Sequence, residues 1–147
     1  MEAVLVSACL LGEHCRYDGE SRPCAAVAAL GARYRLIPVC PEVMGGLPTP
    51  RTPSEICGNR VMMRNGTDVT EHYRLGAEKA LRVAKKQGCK VAILKERSPS
   101  CGKGTVYSGH FDGTLVEGNG ICAALLLQNG IRVLGESEIT AEGGLPI

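Results

Sequence analysis

The segment RLIPVCPEVMGGLPTPR, residues 35–51, joins a short apolar run to an irregular loop. Residues 35–39 are typical of a strand. The four prolines and two glycines between positions 38 and 51 cannot continue a helix or a central strand, because proline lacks an N–H donor and glycine adds chain entropy. Cys40 therefore follows the carboxyl end of a strand, where open α/β folds bind their ligands. Since the loop also carries Glu42 and Arg51, we interpret it as part of a functional site.

Strands and helices alternate around this segment. Apolar runs at residues 3–8, 90–95 and 131–134 are typical of strands buried in a parallel sheet. Apolar spacing and glycine stops predict helices over residues 24–30, 68–87 and 119–128. Residues 105–107 and 114–117 predict a β-hairpin, and turn residues at Asn59 or Asn65-Gly66 allow a second. We therefore predict one three-layer α/β domain over residues 1–147, with a four-stranded, mostly parallel, Rossmann-like sheet and a β-hairpin insertion.

Charge and composition narrow the possible partners and location. A net charge of +2, from 17 basic and 15 acidic residues, is too weak a field to indicate nucleic-acid binding. The amino terminus starts directly with a strand-like run and has the features of neither a signal peptide nor a membrane span. We expect a cytoplasmic protein that acts on a small molecule. Its eight cysteines then indicate metal binding or catalysis, with four disulfides in a secreted domain as the alternative.

Three of the cysteines follow predicted parallel strands. Cys9, Cys40 and Cys101 come after the first three strands, and parallel topology brings the carboxyl ends of those strands to one edge of the sheet. Because neighbouring strands lie roughly 4.8 Å apart, three such loops can converge on a polynuclear cluster. Cys15 is an alternative ligand, and Cys57 is ambiguous. The remaining cysteines are interpreted as small buried hydrophobes: Cys24, Cys89 and Cys122.

The spacing leaves three chemistries open. Structural zinc sites usually have paired C-x₂₋₄-C knuckles, which this sequence lacks. Iron–sulfur clusters accept scattered thiolates, and glycine-rich loops supply N–H groups to their sulfides. A metal-free thiol catalyst would instead pair Cys40 or Cys101 with a histidine, either His14 or His110.

Four sequence blocks carry a family resemblance: SACLLG (7–12), CRYDG (15–19), CPE with GGLPTPR (40–51) and SPSCG (98–102). In this order they resemble the small iron–sulfur domain family whose characterised members are thiouracil desulfurases (TudS-like). The resemblance implies a [4Fe–4S] cluster held by three cysteines, with one iron open to bind the sulfur of a thiolated pyrimidine. It also implies that Glu42 and Ser98 belong to the active site. It does not choose between Cys40 and Cys15 as the third ligand.

The predicted reaction is a non-redox C–S hydrolysis of a thiolated nucleobase such as thiouracil. We expect Glu42 to handle protons, facing the open iron because Pro41 would hold residues 40–42 extended. Asp18 is a second candidate for water activation. Ser98 would position substrate or water, or only form a turn before Pro99. Further candidates for substrate contacts are Arg16, Arg51 and Ser100, although the arginines could instead pair with Glu55 and Asp18. The alternative function is an iron–sulfur or zinc-binding sensor or structural module without catalysis.

Overall fold

The computed structural model describes residues 1–140 and 145–146. Its strands are β1 Ala3–Ser7, β2 Arg35–Val39, β3 Ser54–Cys57, β4 Arg60–Met63, β5 Val91–Leu94, β6 Thr105–Tyr107, β7 Leu115–Glu117 and β8 Arg132–Gly135. Its α-helices are α1 Ala25–Ala29, α2 Pro41–Met44, α3 Thr70–Gln87 and α4 Ile121–Gln128. Short 3₁₀ turns cover Ala8–Leu11, Leu30–Ala32 and Glu136–Glu138. Across the described residues, no helix combines the length and the apolar character needed to cross a membrane.

The central sheet has four parallel strands in the order β2-β1-β5-β8. Leu5 of β1 lies opposite Ile37 of β2 on one side and Ala92 of β5 on the other. Two antiparallel hairpins, β3–β4 and β6–β7, lie outside this sheet. The predicted sheet and β-hairpin insertion are therefore confirmed, and the hairpin that the turn at Asn59 allowed is also present.

Helices cover both faces of the sheet, which confirms the three layers. On one face, Val27 at α1 packs with Val4, Val6 and Ile93. On the other face, residues of α3 and α4 pack against a second set of strand residues. That face is built largely from small α3 side chains: Ala77, Ala80 and Ala84. Because these side chains are short, α3 can approach the sheet closely.

Helix α3 ends at the predicted residue, Gln87, and begins at Thr70, two residues after the predicted start. Asp68 Oδ1 accepts hydrogen bonds from the backbone N–H of Thr70 at 2.9 Å and from its hydroxyl at 2.6 Å. This contact satisfies an N–H group of the first turn that has no partner within the helix. At the other end Gly88 adopts a left-handed conformation with φ of 70°, which glycine accepts without strain.

The expectation that no helix interrupts the proline-rich loop is wrong. Residues 41–44 form the single turn α2. Pro41 is its first residue, a position where the missing N–H is not needed and the fixed φ favours the helix. Cys40 alone is extended, with φ of −130° and ψ of 97°. Glu42 is therefore directed by a helical turn, and the extended geometry predicted for residues 40–42 is not present.

A cysteine-lined cavity at the carboxyl edge of the sheet

A cavity of about 1030 Å³ opens at the carboxyl ends of β1, β2 and β5. This is the edge at which the sequence placed the functional loops. Nine of the residues selected from the sequence line it: Cys9, Cys15, Arg16, Cys40, Glu42, Arg51, Ser98, Ser100 and Cys101. His14 and His110 are not among its lining residues. The described part of the chain therefore brings thiols, a carboxylate and hydroxyls to one place, but not the histidines of a thiol catalyst.

The four thiols that the sequence singled out lie on the segments that follow three separate strands, with Cys15 on the same segment as Cys9. Cys9 lies in the 3₁₀ turn after β1, Cys40 between β2 and α2, and Cys101 in the loop after β5. Cys9 and Cys101 are buried, whereas Cys15 and Cys40 are half-buried. The Cys15 thiol contacts the thiols of both Cys9 and Cys40. The geometry thus keeps Cys15 beside the predicted ligands, and both ligand sets remain open.

The protein environment raises the pKa values of Cys15, Cys40 and Cys101. Contact with Cys15, together with burial, raises the pKa of Cys40. For Cys15 the contact with Cys40 lowers the pKa, but the contact with Cys9 and burial outweigh it and raise that pKa to about 11. Burial raises the pKa of Cys101 to about 12. These three thiols are therefore neutral until a cation displaces their protons, as occurs when thiolates bind metals.

The donor set fits a thiolate-bound cofactor. Soft thiolates are the ligands of iron–sulfur clusters, and here they come from separate loops, without a paired knuckle. Within residues 1–140 and 145–146, no three histidine, cysteine or acidic side chains are arranged to hold a single metal ion. The cavity also has room for a group larger than one ion.

Glu42 is oriented by a buried arginine. Its Oε1 accepts a hydrogen bond from Arg51 Nε at 3.1 Å, and the two side chains are only 13% and 4% exposed. Arg51 also donates to the carbonyl oxygens of Cys15 at 2.9 Å and Pro48 at 3.0 Å. Arg51 thus pairs with Glu42, whereas the sequence suggested Glu55 or Asp18 as its partner. The arginine links the carboxylate to the loop that carries Cys15.

Two serines complete the surroundings of Glu42. Ser100 Oγ donates to Glu42 Oε2 at 2.8 Å, and Ser98 Oγ donates to the same oxygen at 3.4 Å. Ser98 Oγ also accepts hydrogen bonds from the backbone N–H groups of Ser100 and Cys101, both at 3.1 Å. Ser98 therefore forms the turn around Pro99 and contacts the carboxylate as well. Ser100 makes the shorter contact with Glu42.

The first turn of α4 holds the Ser98–Cys101 loop in place. The carbonyl oxygen of Pro99 accepts a hydrogen bond from Ile121 N at 2.8 Å. The Ser100 carbonyl accepts from Cys122 N at 2.8 Å and Ala123 N at 3.1 Å. These carbonyls satisfy the N–H groups that a helix leaves free at its amino end. Among the described residues, no side chain caps α4, so the loop itself is the cap.

Asp18 lies beside Arg16 but not in the cavity. It is not among the residues that line the cavity. It pairs with Arg16 at 3.2 Å and with Arg22 at 3.8 Å, as the sequence allowed for Arg16. The guanidinium of Arg16 also lies 5.4 Å from the ring centre of Tyr17. Asp18 thus orients a cavity residue in this structure and does not reach the cavity itself.

The structure adds residues that the sequence did not identify. Tyr73, predicted only as a helical core residue, is buried. It lines the cavity together with Glu55 and Phe111. Cys24 was predicted inside a helix, but it precedes α1, is half-buried and lines the cavity. Only contacts distant in sequence bring these residues here, so no local pattern could have identified them. The remaining cysteines lie outside the cavity: Cys57, whose thiol donates a hydrogen bond to the Gly109 carbonyl oxygen, and the buried Cys89 and Cys122.

The fold and cavity define a class of protein: a small parallel α/β protein with thiols and a carboxylate at the carboxyl edge of its sheet. The chain belongs to the 2-thiouracil desulfurase family, whose model matches residues 4–138. It is 42% identical over 146 residues to the protein YbbK of Bacillus subtilis strain 168, covering 92% of this chain and 97% of YbbK. A solved structure named [4Fe-4S]-dependent thiouracil desulfidase TudS is 48% identical, with a TM-score of 0.90 over 95% of this chain and 93% of TudS. The resemblance inferred from the four sequence blocks is confirmed.

Proposed function

We propose that this protein is an enzyme that hydrolyses the C–S bond of a thiolated pyrimidine such as thiouracil, with a [4Fe–4S] cluster as its cofactor. The observation that carries the proposal is the meeting of cysteine thiols with the Glu42–Arg51 pair in one cavity. Family membership and the similarity to TudS support the same activity. The reaction exchanges sulfur for oxygen: thiocarbonyl and water become carbonyl and hydrogen sulfide. No net electrons move, so the chemistry is non-redox.

Cys9, Cys40 and Cys101 are the proposed cluster ligands, with Cys15 as the alternative for Cys40. A cluster held by three protein ligands would have one iron without a protein ligand, and that iron would supply a Lewis acid for the soft sulfur of a thiocarbonyl group. The three residues follow β1, β2 and β5, and these strands are neighbours in the sheet. This arrangement supports the assignment. The chain's contribution is to hold the thiolates at fixed positions on a rigid edge.

Glu42 is the proposed proton handler. Its Oε1 accepts a hydrogen bond from Arg51 and its Oε2 accepts one from Ser100, so both oxygens of the carboxyl group are held in place where the reactants would bind. It would take a proton from the attacking water and return it to the departing sulfur or a ring nitrogen. Arg51 limits the motion of the carboxylate, because it is itself bonded to two backbone carbonyls.

The serines and Arg16 are proposed to position the reactants. The Ser100 hydroxyl lies between Glu42 Oε2, at 2.8 Å, and the Cys101 thiol, at 3.6 Å. It can therefore pass a proton between the carboxylate and a group bound beside Cys101. Ser98 holds the loop backbone and offers a second hydroxyl to the same oxygen. Arg16 lines the cavity, where its guanidinium suits a carbonyl oxygen of the base.

The proposal is tested on protein purified without oxygen. We expect about four irons and acid-labile sulfide per chain, and conversion of 2- or 4-thiouracil to uracil with release of one sulfide per turnover. Turnover should continue without a stoichiometric reductant. A cluster without desulfuration would favour a sensor or structural module, and stoichiometric zinc without sulfide would contradict the iron–sulfur assignment. A requirement for stoichiometric electrons would rule out the non-redox scheme.

A further inference from the structure

A buried acidic side chain that the proposed mechanism does not use lies in the cavity wall. Glu55 of β3 is only 8% exposed and lines the cavity. Its Oε1 accepts hydrogen bonds from the backbone N–H groups of Gly109 at 2.8 Å and Phe111 at 3.2 Å. One carboxylate oxygen of Glu55 therefore holds the loop between β6 and β7.

The second carboxylate oxygen of Glu55, Oε2, receives no hydrogen bond from the residues that the structure describes. In residues 1–140 and 145–146, no protein donor bonds to Glu55 Oε2 and no cationic side chain pairs with Glu55. Yet every fully buried side-chain nitrogen or oxygen in this part of the chain has a hydrogen-bond partner. Oε2 is therefore not fully buried, and the open space that Glu55 lines is the cavity. A carboxylate oxygen in such an enclosed position favours a ligand that donates a hydrogen bond.

An aromatic ring lies on the same wall. The Glu55 contact holds Phe111 with a φ of 55°, a conformation that few residues other than glycine adopt. Phe111 lines the cavity, and the Arg64 guanidinium lies 5.6 Å from its ring centre. Aromatic faces bind planar heterocycles by stacking. The wall thus offers a flat apolar surface next to a hydrogen-bond acceptor.

We infer that Glu55 is a specificity-determining residue: its Oε2 accepts a hydrogen bond from a ring N–H of the thiolated pyrimidine, while Phe111 packs against the face of the base. The inference rests on the proposed function. A thiouracil ring carries two N–H donors, and a carboxylate selects such a donor because it has no proton to give. In this scheme Glu42 handles protons at the reacting carbon, and Glu55 accepts a hydrogen bond from the edge of the ring.

The main test is Glu55→Gln. The amide oxygen can keep both bonds to the loop, but the –NH₂ group then faces the cavity and cannot pair with a ring N–H. We expect KM for thiouracil to rise roughly 10- to 100-fold, the range for a hydrogen bond to a charged group. Iron content and melting temperature should match the wild type. The control is Glu117→Gln on the exposed strand β7, which should change none of these.

Ring-methylated substrates separate recognition from a structural role. Wild-type protein should discriminate at least tenfold against N1-methyl- or N3-methyl-2-thiouracil, and Glu55→Gln should lose that discrimination. Equal turnover of both methylated bases and thiouracil by the wild type would overturn the inference without any variant. An unchanged KM and discrimination in Glu55→Gln would also overturn it.

Failure of the proposed function gives a different result. If wild-type protein releases no sulfide from any of the three bases, desulfuration is ruled out, and calorimetric titration with uracil tests Glu55 by itself. Weaker uracil binding by Glu55→Gln than by the wild type would support the inference. Equal affinities, or no binding to either protein, would overturn it.

Discussion

Gly76 of α3 lies so close to Pro41 of α2 that a Cβ atom on Gly76 would stand 1.7 Å from the Pro41 carbonyl oxygen. The contact is reciprocal, since a Cβ on Gly45 would stand 1.9 Å from the carbonyl oxygen of His72. His72 Nδ1 also hydrogen-bonds the Gly45 carbonyl at 2.8 Å. Two helix backbones can approach this closely only where both lack side chains. Because α2 carries Glu42 and follows Cys40, the glycine contact sets the position of the carboxylate and of a proposed ligand.

Gly76→Ala should therefore destabilise the protein, although alanine is the better helix former by about 1 kcal/mol. Overpacking at such a contact costs about 1–3 kcal/mol, and α2 must shift. We expect a lower free energy of unfolding in urea and reduced iron content. Leu75→Ala, at a 40% exposed position on the same helix, is the control and should change little. A more stable Gly76→Ala protein would show that α2 is free to move away.

The ligand assignment predicts different effects of the cysteine substitutions. Cys9→Ala and Cys101→Ala should abolish iron binding, because each removes a proposed ligand. Cys89→Ala and Cys122→Ala should keep the cluster and cost on the order of 1 kcal/mol in packing. Iron and sulfide analysis after anaerobic purification makes the comparison. Cys40→Ala and Cys15→Ala together identify the third cluster ligand. It is the residue whose replacement abolishes iron binding.

Glu42→Gln should lower kcat roughly 10²–10⁴-fold, the usual contribution of general acid–base catalysis. Glutamine keeps the shape and the hydrogen bond to Arg51 but cannot cycle a proton. Iron content should be unchanged, which separates this effect from loss of cofactor. Release of sulfide from thiouracil is the measurement. Turnover near the wild-type rate would remove Glu42 from the mechanism.

The two serines should respond differently to alanine substitution. Ser98 Oγ accepts two backbone N–H groups, so Ser98→Ala should loosen the loop that carries Cys101 and reduce both iron content and activity. Ser100→Ala should keep iron but reduce kcat, because the 2.8 Å contact with Glu42 is lost. Parallel iron analysis and kinetics test the contrast. Equal iron loss in the two variants would assign both serines to structure.

Acid should weaken the start of α3. Hydrogen bonds from Arg60 and then from Thr70 hold the pKa of Asp68 well below its usual range. A depressed folded-state pKa contributes stability above the unfolded value of about 3.9, and that stability is lost as pH falls through the folded value. Urea unfolding at pH 7 and pH 3 should show a smaller acid loss for Asp68→Asn than for the wild type. An unchanged pH dependence would contradict the assignment.

The sheet was predictable because its strands are continuous apolar runs, and the parallel order then placed Cys9, Cys40 and Cys101 at one edge. Turn α2 was not predictable, because its four residues show no periodicity and are held by glycine contacts with the distant helix α3. Glu55 and Phe111 were missed for a related reason: their contact joins two hairpins that are more than 50 positions apart. A single domain over residues 1–147 and a cytoplasmic location stay predictions.

The shared hydrogen bonds between α4 and the Ser98–Cys101 loop have a consequence for dynamics. The amide groups of Ile121, Cys122 and Ala123 donate hydrogen bonds to carbonyl oxygens of that loop. They can exchange with solvent only when the loop and the helix end separate. Their hydrogen–deuterium exchange rates therefore report how often the cavity opens at this wall, and they do so without a substrate, a cofactor or a chemical label.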